Sequence, residues 1–257
     1  MVVTVEITGM LEEILDALVA SGLYNNKSEA VRDAIRRLGE KLDLTHLAFK
    51  VYSSNREMTF TRALNVSRLG FKETIVYFIR KGYAPELGVI DDEEVKDLPP
   101  IRGEFVLDYT SMEIFLETGF IEHLPKLVSV VNFVVPKSLE EQVKQLPLRY
   151  GLTYKRLLRL PGFKVVSERV STSMKGWLSE SEAEALRIAR NRGIPVVSCD
   201  IRFRKRLRVD NIRSVPGLGL AYMAVRKGLV QKGFWPVFIS RAAAIPIYVP
   251  PVVEKIV

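Results

Sequence analysis

The sequence predicts a multidomain chain with a short βαα unit first, a small helical unit next, and a C-terminal α/β domain built on a mostly parallel sheet. Three observations predict it. From about residue 103 onward, apolar runs that read as buried strands alternate with helical patterns, as in a parallel sheet covered on both faces. The first 42 residues carry one alternating strand and two amphipathic helices instead. Charge divides the chain in the same way: the first hundred residues hold 13 basic and 16 acidic side chains, whereas residues 101–257 hold 25 and 14. The basic excess behind the net charge of +8 therefore lies entirely in the last domain, as a phosphate-bearing partner would require. A basic surface serving solubility is the plain alternative.

Composition narrows the class further. With 257 residues and 47% hydrophobic content the chain has enough apolar material for a sizeable core. No apolar stretch reaches the ~18 residues of a membrane span. The start lacks the basic and apolar regions of a signal peptide. A cytoplasmic protein without a membrane partner is expected. Cys199 stands alone, so no intrachain disulfide can form, and one cysteine with two histidines makes a poor structural zinc set.

In residues 1–42, Val2 to Ile7 alternates as a strand, and Met10 to Ala20 sets Leu11, Ile14, Leu15 and Leu18 on one helical face. Gly22 ends that helix. Asn26 and Glu29 have the spacing of a capping box before a second helix over Ser28 to Leu38, striped by Ala30, Val31, Ala34, Ile35 and Leu38. One strand and two short helices cannot bury such faces alone, so a homodimer or higher even oligomer is expected. The run from Gly22 to Arg36 resembles the ribbon-helix-helix family of small repressors and antitoxins. The resemblance implies a paired-strand ribbon in the DNA major groove, with Thr4, Glu6 and Thr8 facing base edges and operator DNA as a partner. Glu6 departs from it, because a carboxylate is unfavourable near phosphates. Dimerisation without DNA binding is therefore an equal reading.

Residues 43–102 follow as a second unit. Thr59 to Leu64, Val66 to Gly70 and Phe71 to Ile79 read as two short helices across a tight turn, a helix-turn-helix-like pattern, with Phe49 to Ser53 as a preceding helix. This resembles a small antitoxin segment; a plain helical linker is the alternative. The acidic run Asp91 to Glu94 and the prolines Pro99 and Pro100 form the connection, and the acidic run is expected to lie over the basic surface of the next domain.

Residues 103–257 read as a strand to Asp108, a helix around Met112 to His123, a strand Asn132 to Val135, and a helix Leu139 to Leu146. After a less regular stretch come a strand Phe163 to Glu168, a helix Glu182 to Arg192, and strands Pro195 to Asp200 and Asn211 to Val215. No Gly-rich phosphate loop follows the first strand, which disfavours a dinucleotide or nucleoside-triphosphate fold. Asp108 and Asp200 each close an apolar strand, the end of an open α/β sheet where ligands collect. Two carboxylates delivered there point to a hard cation.

This stretch resembles the PIN domain of VapC-group toxin ribonucleases. Asp108 with Thr110 fits that family's first acidic position, Glu182 in Ser179 to Leu186 fits the acid opening a later helix, and Asp200 fits the acid closing the fourth strand. The resemblance implies that Asp108, Glu182 and Asp200 hold Mg²⁺ or Mn²⁺ and cut an RNA substrate. Where the family places a further glutamate this chain has Gln142, with Glu141 beside it. A glutamine is a neutral donor and no base. Each acid also has a structural reading: Ser179 and Glu182 have capping-box spacing, and a strand-end aspartate commonly serves a turn. Arg202, Arg204, Lys205, Arg206 and Arg208 crowd after Asp200 and are expected to grip an RNA backbone, with a solvated helix face as the alternative. The expectation for the whole is an antitoxin and toxin fusion restrained by its own N-terminal half, against a noncatalytic DNA-binding regulator.

Overall fold

The computed structural model describes residues 6–67, 69–89, 94, 98–144, 148–168, 176–245 and 247. Two helices open it, α1 (Met10–Ala20) and α2 (Lys27–Lys41). Asn26 caps α2 by accepting the Glu29 amide at 2.9 Å; the reciprocal carboxylate bond reaches the Asn25 amide rather than that of Asn26. Lys27 ties the helices together through Asp16 at 2.7 Å and Glu12 at 3.4 Å. No α1 side chain is buried. Thr4 and most of the expected strand Val2 to Ile7 lie outside the described residues; Glu6 and Thr8, on the described side, are exposed and outside any strand.

Three helices follow: α3 (Leu44–Ser54), α4 (Phe60–Ser67) and α5 (Phe71–Arg80). Tyr52, Phe60 and Phe78 pack ring against ring, with centroids 5.4 to 6.0 Å apart. The chain then runs extended along the strand-end residues of the α/β unit. Leu87 bridges Asp200 in antiparallel fashion, and the Gly88 amide bonds the Cys199 carbonyl at 2.8 Å. Gly88 has φ 108°, a conformation that a side chain would strain.

The α/β unit holds five parallel strands: β1 (Gly103–Leu107), β2 (Val131–Pro136), β3 (Phe163–Val166), β4 (Val196–Val197) and β5 (Ser214–Val215). All four pairings are parallel and the spatial order is β3-β2-β1-β4-β5. Its helices among the described residues are α6 (Tyr109–Thr118), α7 (Leu124–Leu127), α8 (Lys137–Lys144), α9 (Leu148–Leu157), α10 (Glu180–Arg192), α11 (Ile201–Val209), α12 (Gly217–Arg226) and α13 (Phe234–Ala244).

Strand alternation divides the core. Val106, Val134 and Val196 face α10 and α11 with Ala183, Leu186, Phe203 and Leu207. Phe105, Leu107, Phe133, Val135 and Val197 belong to the larger cluster on the other side, which also takes in Tyr52, Phe60, Ile75 and Phe78 of α3 to α5. The boundary drawn from sequence at residue 102 is therefore crossed by one continuous apolar core.

Candidate active site

The strand order reverses direction between β1 and β4, and the crevice beyond their carboxyl ends is the switch point of the sheet. Asp108 directly follows β1, and Asp200 follows β4 by three residues. Both are buried, and each caps the helix it precedes. Asp108 accepts the Ser111 amide of α6 at 2.8 Å, while its other oxygen accepts the hydroxyls of Ser198 at 2.6 Å and Thr110 at 2.7 Å. Asp200 accepts the amides of Arg202 and Phe203 in α11 through Oδ1, at 2.9 and 3.2 Å. Thr110 joins the two acids, since its hydroxyl also accepts the Asp200 amide at 3.1 Å. Glu182 completes a capping box with Ser179, whose amide it accepts at 2.7 Å. The structural roles open from sequence are thus all realised.

Capping leaves Asp200 Oδ2 and Glu182 Oε1 over, and the start of helix α4 meets the first of these and the capping oxygen of Glu182. The Phe60 amide donates to Asp200 Oδ2 at 2.5 Å, and the Thr59 hydroxyl donates to Glu182 Oε2 at 2.6 Å. Thr59 is itself the residue before α4, accepting the Arg62 amide on its hydroxyl and the Ala63 amide on its carbonyl. The partly positive end of α4 therefore points at the two carboxylates. Glu182 Oε1 remains buried without a hydrogen-bond partner. Burial, and then the charge of Asp200, push the Glu182 pKa up to about 8. Burial likewise lifts Asp200 above the ordinary carboxylate range; the Phe203 and Phe60 amides oppose that rise and Asp108 adds to it. Asp108 is raised by burial against the bonds from Ser198 and Thr110.

Carboxylates at a switch point suit Mg²⁺ or Mn²⁺ in kind. They do not fit the ion in arrangement while α4 is docked. Among the described residues no three His, Cys, Asp or Glu side chains are grouped to hold a metal, and the Phe60 amide takes Asp200 Oδ2 while the Thr59 hydroxyl adds a second bond to Glu182 Oε2. Gln142 is drawn into the same contact. Its amide donates to Asn65 of α4 at 2.9 Å, and its oxygen accepts the Ser181 hydroxyl at 3.3 Å. Glu141 is exposed, bordering an open groove of about 260 Å³ with Asn65, Ser138 and Glu180.

No protein-family model matches the chain, and no curated protein matches it in sequence.

The cations expected to grip RNA are spread over different tasks in this conformation. Arg202 is buried, with its guanidinium 3.8 Å from the centre of the Tyr52 ring. It donates to the carbonyls of Tyr52, Asn55 and Met58 at 2.7 to 3.1 Å, to the Tyr83 hydroxyl at 2.6 Å and to Glu86 at 2.9 Å. Arg204 forks onto both oxygens of Glu94 at 2.8 and 3.0 Å and reaches the Ser198 carbonyl. Lys205 meets Glu86 at 3.1 Å, and Arg206 pairs with Asp210 one turn on. In this conformation Arg202 and Arg204 bind the N-terminal half rather than a free polyanion, because their donors are used up inside the chain. Burial pushes the Glu86 pKa up, but the bonds from Arg202 and Lys205 outweigh it and hold the carboxyl below its ordinary value. Of the acidic run, Asp91, Asp92 and Glu93 lie outside the described residues; Glu94 does lie on the basic helix, as expected.

Sequence reasoning missed Thr59, Phe60 and Glu86. Thr59 before an apolar helix is legible as a cap, but nothing local reveals which carboxylate its hydroxyl meets 123 residues later.

Proposed function

We propose that the chain is an antitoxin and toxin fusion whose C-terminal part is a PIN-like, metal-dependent endoribonuclease held inactive by its own helix α4. The observation that carries this reading is the docking of Thr59 on Glu182 and of Phe60 on Asp200 at the end of the sheet. Asp108, Glu182 and Asp200 would hold Mg²⁺ or Mn²⁺ once α4 withdraws, and the bound ion supplies an activated water and neutralises phosphate charge. Asp108 stays fixed by Ser198, Thr110 and Ser111, and Asp200 Oδ1 keeps its cap. Withdrawal of α4 would free Asp200 Oδ2 and one of the two bonds on Glu182 Oε2, beside the already unpaired Oε1. Covalent attachment keeps the blocking helix at high effective concentration. The exposed apolar face of α1 and α2 supports a homodimer with operator DNA as a further partner; absence of a gel shift with the protein's own promoter at low salt would remove the DNA part. No helix among the described residues is long and apolar enough to cross a membrane.

Thr59→Asp tests the nuclease in the whole chain. Aspartate still caps α4, yet it sets a third carboxylate against Glu182 and Asp200 and expels the helix end. With Mn²⁺ or Mg²⁺ the variant should cut a labelled RNA pool at least about tenfold faster than the parent, and adding Asp108→Asn should abolish the cutting. A second reading, a noncatalytic DNA-binding regulator with a degenerate PIN-like module, is favoured by one observation: Gln142 clasps Asn65 where the family has an acid. A folded Thr59→Asp chain that cuts nothing with either metal would establish that reading instead.

A further inference from the structure

The acid crevice is one of two charge centres covered by the N-terminal half. The other lies on α11, which begins directly after Asp200. Three of its cations, Arg202, Arg204 and Lys205, meet carboxylates that come from outside the α/β unit: Glu86 serves Arg202 and Lys205 with one oxygen each, and Glu94 takes the fork of Arg204. Arg206, by contrast, is paired within its own helix end. An arginine fork accepts a carboxylate and a phosphate in the same two-bond geometry. The covering segment thus places a helix N-terminus on the acids and two carboxylates on the cations. Those are the charges that a metal ion and a phosphate chain would bring to the same two places.

We propose that Arg202, Arg204 and Lys205 form a binding site for neighbouring phosphates of a single RNA strand, which Glu86 and Glu94 occupy in this structure as phosphate mimics. The choice of RNA as the polyanion rests on the ribonuclease reading; the site itself rests on the pairing geometry. Arg204 is bonded to Ser198 on one side only, so the edge it gives to Glu94 is the edge a phosphate would take. Lys205 is 57% exposed and needs no rearrangement to reach a strand lying along α11. Strand binding and withdrawal of α4 are then linked, because Arg202 holds both Glu86 and the Asn55 and Met58 carbonyls that lead into Thr59.

The test is anisotropy of a fluorescein-labelled oligouridylate with the full chain in EDTA, where no metal-dependent cutting occurs. Glu86→Gln with Glu94→Gln should bind at least about tenfold tighter than the parent, with the log-log salt slope steeper by about 1 to 2 as cations are released to phosphates. Adding Lys205→Gln should reverse part of the gain. If these pairs only hold the fold together, the double variant melts lower while affinity and slope stay within twofold, and the inference is overturned. Should the double variant not fold, Glu86→Gln alone decides, since Glu86 is one-third exposed: a gain of about threefold supports the site and no gain overturns it. Tighter binding together with an inert Thr59→Asp chain would leave this site standing and remove the ribonuclease.

Discussion

The helix pair α1 and α2 and the helix trio α3 to α5 are both short, amphipathic and N-terminal, yet they finish their apolar faces in opposite ways. In the pair, Leu11, Ile35 and Leu38 stay more than half exposed, and among the described side chains Ala30 is the one buried hydrophobic. In the trio, Tyr52, Phe60, Ile75 and Phe78 are sealed against the α/β unit in one cluster. Amphipathicity therefore says that a helix needs a partner, and only the tertiary structure says which. The pair keeps an open apolar face, while the trio shares the core of the α/β unit whose crevice it covers.

The largest effect that separates the two regions is expected at Phe78. Phe78→Ala should cost about 3 to 5 kcal/mol in urea unfolding of the whole chain, with Trp177 and Trp235 fluorescence and far-UV circular dichroism moving in one transition. Two separate transitions would mean that the trio and the α/β unit unfold independently. Next comes Glu113 of α6, buried at the joint with α5. Burial first, with help from Glu117 and Glu73 and against the Tyr109 bond, raises its pKa to about 7 from an ordinary value of 4.5. A carboxyl raised on folding contributes stability that is whole below pH ~4.5 and declines as pH rises through ~7, a loss of up to about 3 kcal/mol. Glu113→Gln should flatten the stability profile across that window; an unchanged slope would place the titration elsewhere.

Smaller effects belong to the pair. Asn26→Ala removes the cap of α2 and should cost about 1 kcal/mol, read as faster hydrogen exchange in α2 without change in the trio. Ile14→Ser with Leu38→Ser should shift unfolding of the monomer by no more than about 0.5 kcal/mol while halving the mass seen by light scattering. A parent that is already monomeric at high concentration would end the idea of a second chain on this face.

How much the sequence showed follows the range of the interactions. Met10 to Ala20 was legible to the residue, and the strands at Phe105 and Phe133 were found, because period and burial are local signals. Asp108 and Asp200 were legible as strand-end acids for the same reason. The helix expected over Met112 to His123 breaks at Gly119, which turns with φ 79°. The strand expected over Pro195 to Asp200 narrows to Val196–Val197, because Cys199 and Asp200 pair with Gly88 and Leu87 instead. Helix α9 escaped notice in a basic stretch without a clear start signal. Arg202 misled most: five cations among the seven residues 202–208 look like a surface for a polyanion, and nothing near them in sequence discloses carbonyls contributed from residues 52 to 58.

The bond from Phe60 to Asp200 joins residues 140 positions apart, with the covering partner first. On a ribosome the residues of helix α4 emerge before β4 and its aspartate have been translated. Phe60 is therefore at hand whenever Asp200 is made. Every copy of the crevice is made with its covering segment on the same chain, whereas two halves made from separate messages would have to meet.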